Sequence, residues 1–431
     1  VYRLVAVLML KGTKNKEHRM AHSIVLGAGM IGVSVAWHLL QRGHDVTLID
    51  RRDPGQETSF GNAGIIQREA VRPYAFPRDM KTLLSVLPNR RVDIRYRPGG
   101  MINAASPLLR YWHNSGSKAY SRIVPEYASL IQLCLDTHAP MVEAAGAERL
   151  IAKDGFLELF RSESKQATRL KEAEENRERF GVQFKHLDRQ QLSVMEPHLS
   201  TEIIGAIHWV DSWVVNDPGS LVAAYADACK QQGGRLLKSE VTDIKHKADG
   251  WQVTTLDETL EADNLVMALG PWAGKWLKPL GYHFPTFVKR GYHMHYAPSE
   301  GAKLNHWVMD AEVGYLLAPM RVGIRLTTGA ELDNLESPAH DNQLASAEKA
   351  ARKLFPLGER KDADAWKGAR PCLPDMKPVI GPAPRHKGLW LAFGHGHQGF
   401  TLGPATGMLL ADMIEGKPTA IDMAPFRADR F

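Results

Sequence analysis

A chain of 431 residues exceeds what one simple hydrophobic core organises, so two domains are the expectation. With 44% hydrophobic and 24% charged residues the composition is that of an ordinary globular protein, and no repeat or low-complexity tract interrupts it. The net charge of +6 comes without a long run of Lys or Arg, which argues against nucleic acid and leaves either solubility or a basic face toward acidic lipid headgroups.

The first ten residues, VYRLVAVLML, are apolar but short and lack a small-residue cleavage site. Met20-Ala21-His22-Ser23 runs straight into the first strand. Met20 is therefore expected as the natural start and residues 1–19 as a non-native or disordered leader, a membrane-touching peptide being the rival reading. No stretch approaches the roughly twenty apolar residues of a membrane span. Cys134, Cys229 and Cys372 form no CxxC and no metal pattern, which fits a reducing, cytoplasmic setting.

Ile24 to Asp50 reads as strand, glycine turn, helix and strand: Ile24-Val25-Leu26, then Gly27-Ala28-Gly29-Met30-Ile31-Gly32, a helical stripe, and Val46 to Ile49 ending at Asp50. Gly27 permits the tight turn, Gly29 lets backbone N–H groups approach a pyrophosphate, and Gly32 lets helix and strand pack closely. The helix N-terminus offers its positive dipole end, and Asp50 stands where a carboxylate accepts ribose hydroxyls. The unit predicts dinucleotide binding and leaves NAD or FAD open. Arg51, Arg52 and a turn follow, then the small-residue segment Ser59-Phe60-Gly61-Asn62-Ala63-Gly64, suited to a backbone lying against a ligand.

Residues 71–107 are rich in Pro and Arg and show no readable period. Pro125 to Met141 carries a helical stripe, Asp154 to Phe160 alternates as a half-buried strand does, and Ser162 to Phe180 reads as a charged helix with a thin apolar face (Ala167, Leu170, Ala173) and otherwise solvated. Asp217-Pro218 opens another helix. Strands are predicted at Arg235–Leu237, at Trp251–Thr255 and from Asn264 into Gly270. Closely spaced alternating runs between Phe287 and Glu331 predict an antiparallel sheet. A helix over 341–355, a strand at Leu389–Phe393 and a final helix from Pro404 complete the chain.

Five markers stand in order: GAGMIG with Asp50, Ser59–Gly64, the Val266–Trp272 return strand, ARPCLPDMKPVIG at Ala369–Gly381, and FGHGHQGFTLGPATG at Phe393–Gly407. Together they resemble the FAD-dependent amine and amino-acid oxidoreductases, which include D-amino-acid oxidase, glycine oxidase and D-amino-acid dehydrogenase. The late motif is most similar to that of bacterial D-amino-acid dehydrogenases. The resemblance runs from His22 to Asp422. It implies an α/β plus α+β fold, a Rossmann-like FAD-binding domain with an inserted substrate domain on a mostly antiparallel sheet. The FAD-binding domain would be discontinuous, over 21–105, 195–280 and 365–431, with 106–194 and 281–364 forming the substrate domain.

Carried over residue by residue, the resemblance implies FAD held by Gly27, Gly29, Met30, Ile31, Gly32, Asp50, Arg51 and Arg52. Ser59, Asn62, Ala63 and Gly64 would line phosphates and flavin, Val241 would reach the adenine edge by its backbone, and Gly270 would also contact the cofactor. His395, Gly396, Gln398 and Gly399 would cup the pyrimidine end, where a helix N-terminus stabilises the charge of reduced flavin, with Phe400 and Thr401 as further cofactor-binding residues. Cys372 stands too near Pro374-Asp375 to match the tethering Cys of sarcosine oxidases, so non-covalent FAD is expected. Arg370, in the Arg-Pro pair, would clamp a substrate carboxylate. Tyr292, Tyr315, Arg290 and Gln67 are further substrate-site candidates, with packing as their plainer alternative. His395 and His397 alternate on a glycine loop without an acid partner, so no metal is expected.

The implied reaction is oxidation of an amino acid, D being favoured, by hydride transfer from Cα to flavin N5, the imine hydrolysing to a 2-oxo acid and ammonia. Oxidation of a secondary amine of glycine, sarcosine or hydroxyproline type is the alternative. The implied partners are the amino acid and a quinone or other electron acceptor, with peripheral contact at the inner membrane and a homo-oligomer left open. A nicotinamide dehydrogenase would leave the late glycine loop unexplained. A partner-dependent subunit of a heteromeric flavoenzyme stays open.

Overall fold

A computed structural model describes residues 21–431. The expectations for Met20 and for residues 1–19 lie outside the described residues. A six-stranded sheet runs in the order Arg235–Lys238, Asp45–Asp50, His22–Leu26, Asn264–Met267, Leu389–Phe393, Val379–Pro382. All its pairs are parallel except the last. A parallel sheet is covered on both faces, and the alternation of its strands shows how. Val25, Leu48 and Val266 pack toward the helices Met30–Leu40, Pro218–Gln231 and Gly399–Ile414. Ile24, Leu26, Leu265 and Met267 pack the other way, against Trp251 and Val253 of a three-stranded antiparallel meander over Val241–Lys247, Gly250–Thr255 and Thr259–Ala262.

A second, eleven-stranded sheet is organised by the twelve-residue strand Phe287–Pro298, which pairs antiparallel with Gly323–Thr327, Ala330–Leu332, Leu357–Arg360 and Trp366–Cys372. Two parallel pairings interrupt the pattern, Val308–Asp310 with Phe156–Phe160 and Ala330–Leu332 with Ile94–Tyr96. The helix Asn342–Leu354 covers part of this sheet through Leu344, Ala347, Ala351 and Leu354. The strands Ile94–Tyr96, Gly205–Trp209 and Trp366–Cys372 all bond into this second sheet. The stretches 21–105, 195–280 and 365–431 thus each supply both sheets.

Several local expectations are corrected. Residues 71–107 hold three short elements, Met80–Val86, Ile94–Tyr96 and Pro98–Asn103, and run into the helix Ala105–Asn114. Met80–Val86 starts where the Asp79 side chain accepts the Thr82 N–H at 2.7 Å, and two turns are too few to print a period. The stripe from Pro125 to Met141 belongs to two helices, Ser117–Ile131 and Cys134–Ala144. Phe156–Phe160 is buried on both faces rather than one, because the charged helix Glu163–Phe180 and Trp209 cover Glu158. The return strand ends at Met267, and Gly270 opens a single 3-10 turn.

The last helix begins at Gly399, not at Pro404, which sits inside it. Proline there removes the N–H that would bond the Phe400 carbonyl. His138 Nε2 donates to that carbonyl instead, at 3.2 Å, which leaves its Nδ1 to accept from the Tyr225 hydroxyl at 3.1 Å. Burial holds His138 neutral, its pKa pushed down to about 4. No helix among the described residues is long and apolar enough to cross a membrane.

Candidate functional site

The strand ends of the first sheet and one face of the second enclose a cavity of about 830 Å³. One end is built by the glycine turn. Gly27 has φ +101°, donates its N–H to the Ile49 carbonyl at 2.8 Å, and would bring a Cβ within 2.5 Å of the Ala268 oxygen. Gly32 packs so closely on that turn that a Cβ would lie 1.7 Å from the Gly27 oxygen. Gly29 is different: only Ser59 Oγ, at 3.4 Å, lies near its missing Cβ, and the residue faces open cavity. Ser59 Oγ accepts the Met30 N–H at 3.0 Å, so the small-residue segment is tied to the helix N-terminus. Asp50 accepts the Ala28 N–H at 2.7 Å and the Arg52 N–H at 2.9 Å. Burial nevertheless raises its pKa above the ordinary carboxylate value.

Of the expected cofactor residues, Gly27, Gly29, Met30, Ile31, Asp50, Arg51, Ser59, Asn62, Ala63, Val241, Gly270, His395, Gly396, Gly399 and Phe400 line the cavity. Gly32, Arg52, Gly64, Gln398 and Thr401 do not. Arg52 turns outward to Glu57 at 3.0 Å. Gly64, φ +73°, acts through its backbone, packed on the Val215 oxygen. Gln398 and Thr401 brace the floor by a hydrogen-bond circuit. Gln67 N–H donates to Thr401 Oγ1 (3.1 Å), Thr401 Oγ1 to Gln398 Oε1 (2.8 Å), Gln398 Nε2 to Gln67 Oε1 (2.8 Å), and Gln67 Nε2 to Glu69 (2.7 Å). Gln67 lines the cavity with its amide committed on both sides. Burial pushes the pKa of Glu69 up, and Ser212 Oγ completes the circuit at 2.5 Å.

At the opposite end Arg370 and Tyr315 line the cavity, while Arg290 and Tyr292 do not. Arg290 is fully buried within its own ion-pair cluster, bonded to Glu331 at 2.6 Å, to the Tyr292 hydroxyl at 2.8 Å, and to the Ser337 and Pro338 carbonyls. The pleat decides this. Arg290 and Tyr292 share one face of their strand, and Lys289 and Gly291 the other, which is the cavity face. Among the described residues Arg370 has no carboxylate partner. One terminal nitrogen reaches the Gly329 oxygen at 3.0 Å and the Arg290 oxygen at 3.4 Å, and burial lowers its pKa from the ordinary arginine value. Tyr315 stands beside Asp310 and Arg161, and burial raises its pKa above the ordinary tyrosine value.

Sequence reasoning missed Lys289, Tyr74, Glu158 and Arg169, all on the cavity wall. Lys289 donates to the Tyr111 hydroxyl at 3.0 Å. Tyr74 stacks obliquely on His397, ring centroids 4.8 Å apart. The charged helix is not merely solvated. Arg169, Glu172 and Asn176 turn inward, with Arg169 paired to Glu158 at 3.0 Å and lying over Trp209. Their i, i+3, i+7 spacing was the available signal. His395 bonds Thr406 Oγ1 at 2.9 Å, and burial pushes its pKa down to about 3. Among the described residues no cluster of His, Cys, Asp or Glu could hold a metal.

These residues fit FAD. Gly29 presents backbone toward open space at a helix N-terminus, and the first turn of Gly399–Ile414 offers a second N-terminus at the far end of the same cavity. Comparison with known proteins agrees. The sequence profile of the DAO family, described as FAD dependent oxidoreductase, matches residues 22–413. A D-amino acid dehydrogenase of Bradyrhizobium diazoefficiens is 29% identical over 428 residues, 95% of this chain and 98% of that protein. A D-amino-acid oxidase of the same organism is 29% identical over 422 residues, 95% and 99% of the two chains. The crystal structure of glycine oxidase from Geobacillus kaustophilus superposes with a TM-score of 0.71 at 23% identity, covering 96% of this chain and all of that one.

Proposed function

The chain belongs to the DAO family of FAD dependent oxidoreductases, and on that premise we propose that it oxidatively deaminates an amino acid, with the D-form as the favoured substrate. Arg370 carries the reading. Its half-buried guanidinium faces the cavity with at most two carbonyl contacts for five N–H donors, which suits a bidentate substrate carboxylate. Catalysis here is positioning: the clamp sets Cα, and the walls exclude water while the C–H bond breaks. The amino group must be neutral, because its lone pair drives loss of the hydride and becomes the second bond of the imine. When bound, FAD supplies the two-electron acceptor at its N5. Water then adds to the released imine, giving the 2-oxo acid and ammonia.

The test is to reduce the purified yellow protein anaerobically with a panel of D- and L-amino acids while following bleaching of the flavin absorbance. Bleaching by D-amino acids supports the proposal, and a spectrum unmoved by any amino acid removes it. Acid precipitation should release the flavin into the supernatant. Flavin retained on the polypeptide would contradict non-covalent binding.

For the acceptor we infer a quinone met at a membrane surface. Residues 71–122 hold ten Lys or Arg against two Asp and no Glu, more than the whole chain's excess of +6. The same segment exposes Met80, Leu84, Leu87, Ile102, Leu109 and Trp112. Apolar side chains within a basic field suit an anionic bilayer, and Phe76, Pro77, Thr82 and Val86 of this segment also line the cavity. Dye turnover with little peroxide supports this, and peroxide formed in air as fast as dye is reduced would make the protein an oxidase.

A further inference from the structure

Lys289 and Arg370 are direct cross-strand partners on Phe287–Pro298 and Trp366–Cys372, and both project into the cavity. Both are half-buried. Like charges directly opposite each other destabilise a sheet, and a cation partly withdrawn from water is stabilised by a counter-charge. Other cations nearby, of which Arg169 alone lines the cavity, have partners of their own. Arg290 pairs with Glu331, Arg169 with Glu158 and Arg161 with Asp310, while Arg325 donates to the Phe60 and Asn62 carbonyls and to His295. Among the described residues Lys289 has only the Tyr111 hydroxyl, and Arg370 only carbonyl oxygens. The two head groups also diverge. The guanidinium lies over Gly291, where an added Cβ would come within 2.7 Å of it. The ammonium turns the opposite way along the strand, 4.5 Å from the Tyr111 ring centroid and 5.8 Å from that of Phe287.

We propose that the substrate is a dicarboxylic amino acid, with Arg370 holding the α-carboxylate and Lys289 the distal one. This rests on the amino-acid reading above and narrows its substrate class. Two carboxylates supply the two missing negative charges, and head groups that part from one rung match anions separated by a short chain. Lys289 is then a specificity-determining residue.

Two measurements on the flavin-loaded protein test this. In the first, glutarate and butyrate are titrated against the flavin absorbance. Glutarate should bind at least about tenfold tighter, the size of one charge-assisted hydrogen bond, with the difference lost in Lys289→Met and largely kept in Lys289→Arg. In the second, kcat/KM is compared for both enantiomers of aspartate and glutamate against asparagine and glutamine. The acid-to-amide ratio should be about ten or more and fall toward one in Lys289→Met. Equal binding of glutarate and butyrate overturns the proposal. So does an equal loss for acid and amide accompanied by a shifted flavin spectrum, which would turn Lys289 toward the cofactor. Selective glutarate binding without oxidation of any amino acid would support the second anion subsite and remove the amino-acid reading instead.

Discussion

At Arg370 a positive charge is held in a half-buried wall where, among the described residues, only carbonyl oxygens meet it. Its interaction with a ligand carboxylate is therefore made in low dielectric and through a planar fork. Arg370→Ala should lower kcat/KM for the amino acid roughly 30-fold or more, corresponding to about 2 kcal/mol or above, chiefly through KM. FAD content, read from the ratio of visible to protein absorbance, should stay near normal. Arg370→Lys should be impaired as well, since an ammonium cannot reproduce two parallel contacts. An unchanged kcat/KM in either variant would remove Arg370 from the site. Arg370 was legible in the sequence because an Arg-Pro pair stands within a longer motif. Lys289 was not, because it adjoins Arg290, and only the pleat of the strand tells which of two neighbouring cations meets the cavity.

The pairing of the first and last helices decides whether both helix N-termini reach the same cavity. Met30–Leu40 and Gly399–Ile414 approach through Gly403, whose Cβ would lie 2.5 Å from Met30 Cγ, and Gly407, whose Cβ would lie 2.5 Å from the Ser34 oxygen. Gly407→Val cannot be accommodated by side-chain rotation, because the obstacle is backbone. It should cost about 1–3 kcal/mol, seen as a lower melting temperature, and should weaken flavin retention by splaying the two termini. A variant that melts like the parent with full flavin would show that the crossing tolerates separation. The interior Pro404 is carried by His138 in the same way. His138→Ala leaves the Phe400 carbonyl and the Tyr225 hydroxyl without their partner, at a cost of about 1–3 kcal/mol measured by denaturant unfolding. An unchanged midpoint would mean that water replaces the imidazole.

Among the described residues, four of the buried histidines make acid a destabilising agent before carboxylates titrate. Burial depresses their pKa values to about 3 (His38), 4 (His138), 2 (His293) and 3 (His395). Below the ordinary value near 6.5 the unfolded chain takes up protons that the folded chain refuses. Their contribution is thus complete above pH 6.5 and is lost as pH falls toward the folded values. Each fully responding histidine contributes a slope of about 1.4 kcal/mol per pH unit. The melting temperature should therefore fall steadily from pH 6.5 to 5, and a flat profile there would contradict the buried, neutral state. The second expectation at this scale concerns the basic, apolar surface of residues 71–122. The protein should cosediment with vesicles containing phosphatidylglycerol, less at high salt and hardly at all with pure phosphatidylcholine. Leu84→Asp with Leu87→Asp should weaken it. A concentration-dependent dimer lost in that double variant, with no vesicle binding, would assign the surface to a second copy of the chain.

The sequence by itself determined the glycine-turn end of the cavity. Gly27, Gly29, Gly32 and Asp50 act within one continuous strand-turn-helix-strand unit, where spacing alone dictates geometry, and Phe393–Gly407 is similarly local. The antiparallel character of the second sheet followed from short alternating runs for the same reason. What only the tertiary structure decided lies between elements distant in the chain. That Lys289 rather than Arg290 shares the cavity face with Arg370, that Arg169 turns inward onto Glu158, and that His138 carries the helix interrupted by Pro404 are relations between different elements, the last across 262 residues. No local period encodes them, because register and pleat are settled when the sheets close and the buried charges find, or lack, their partners.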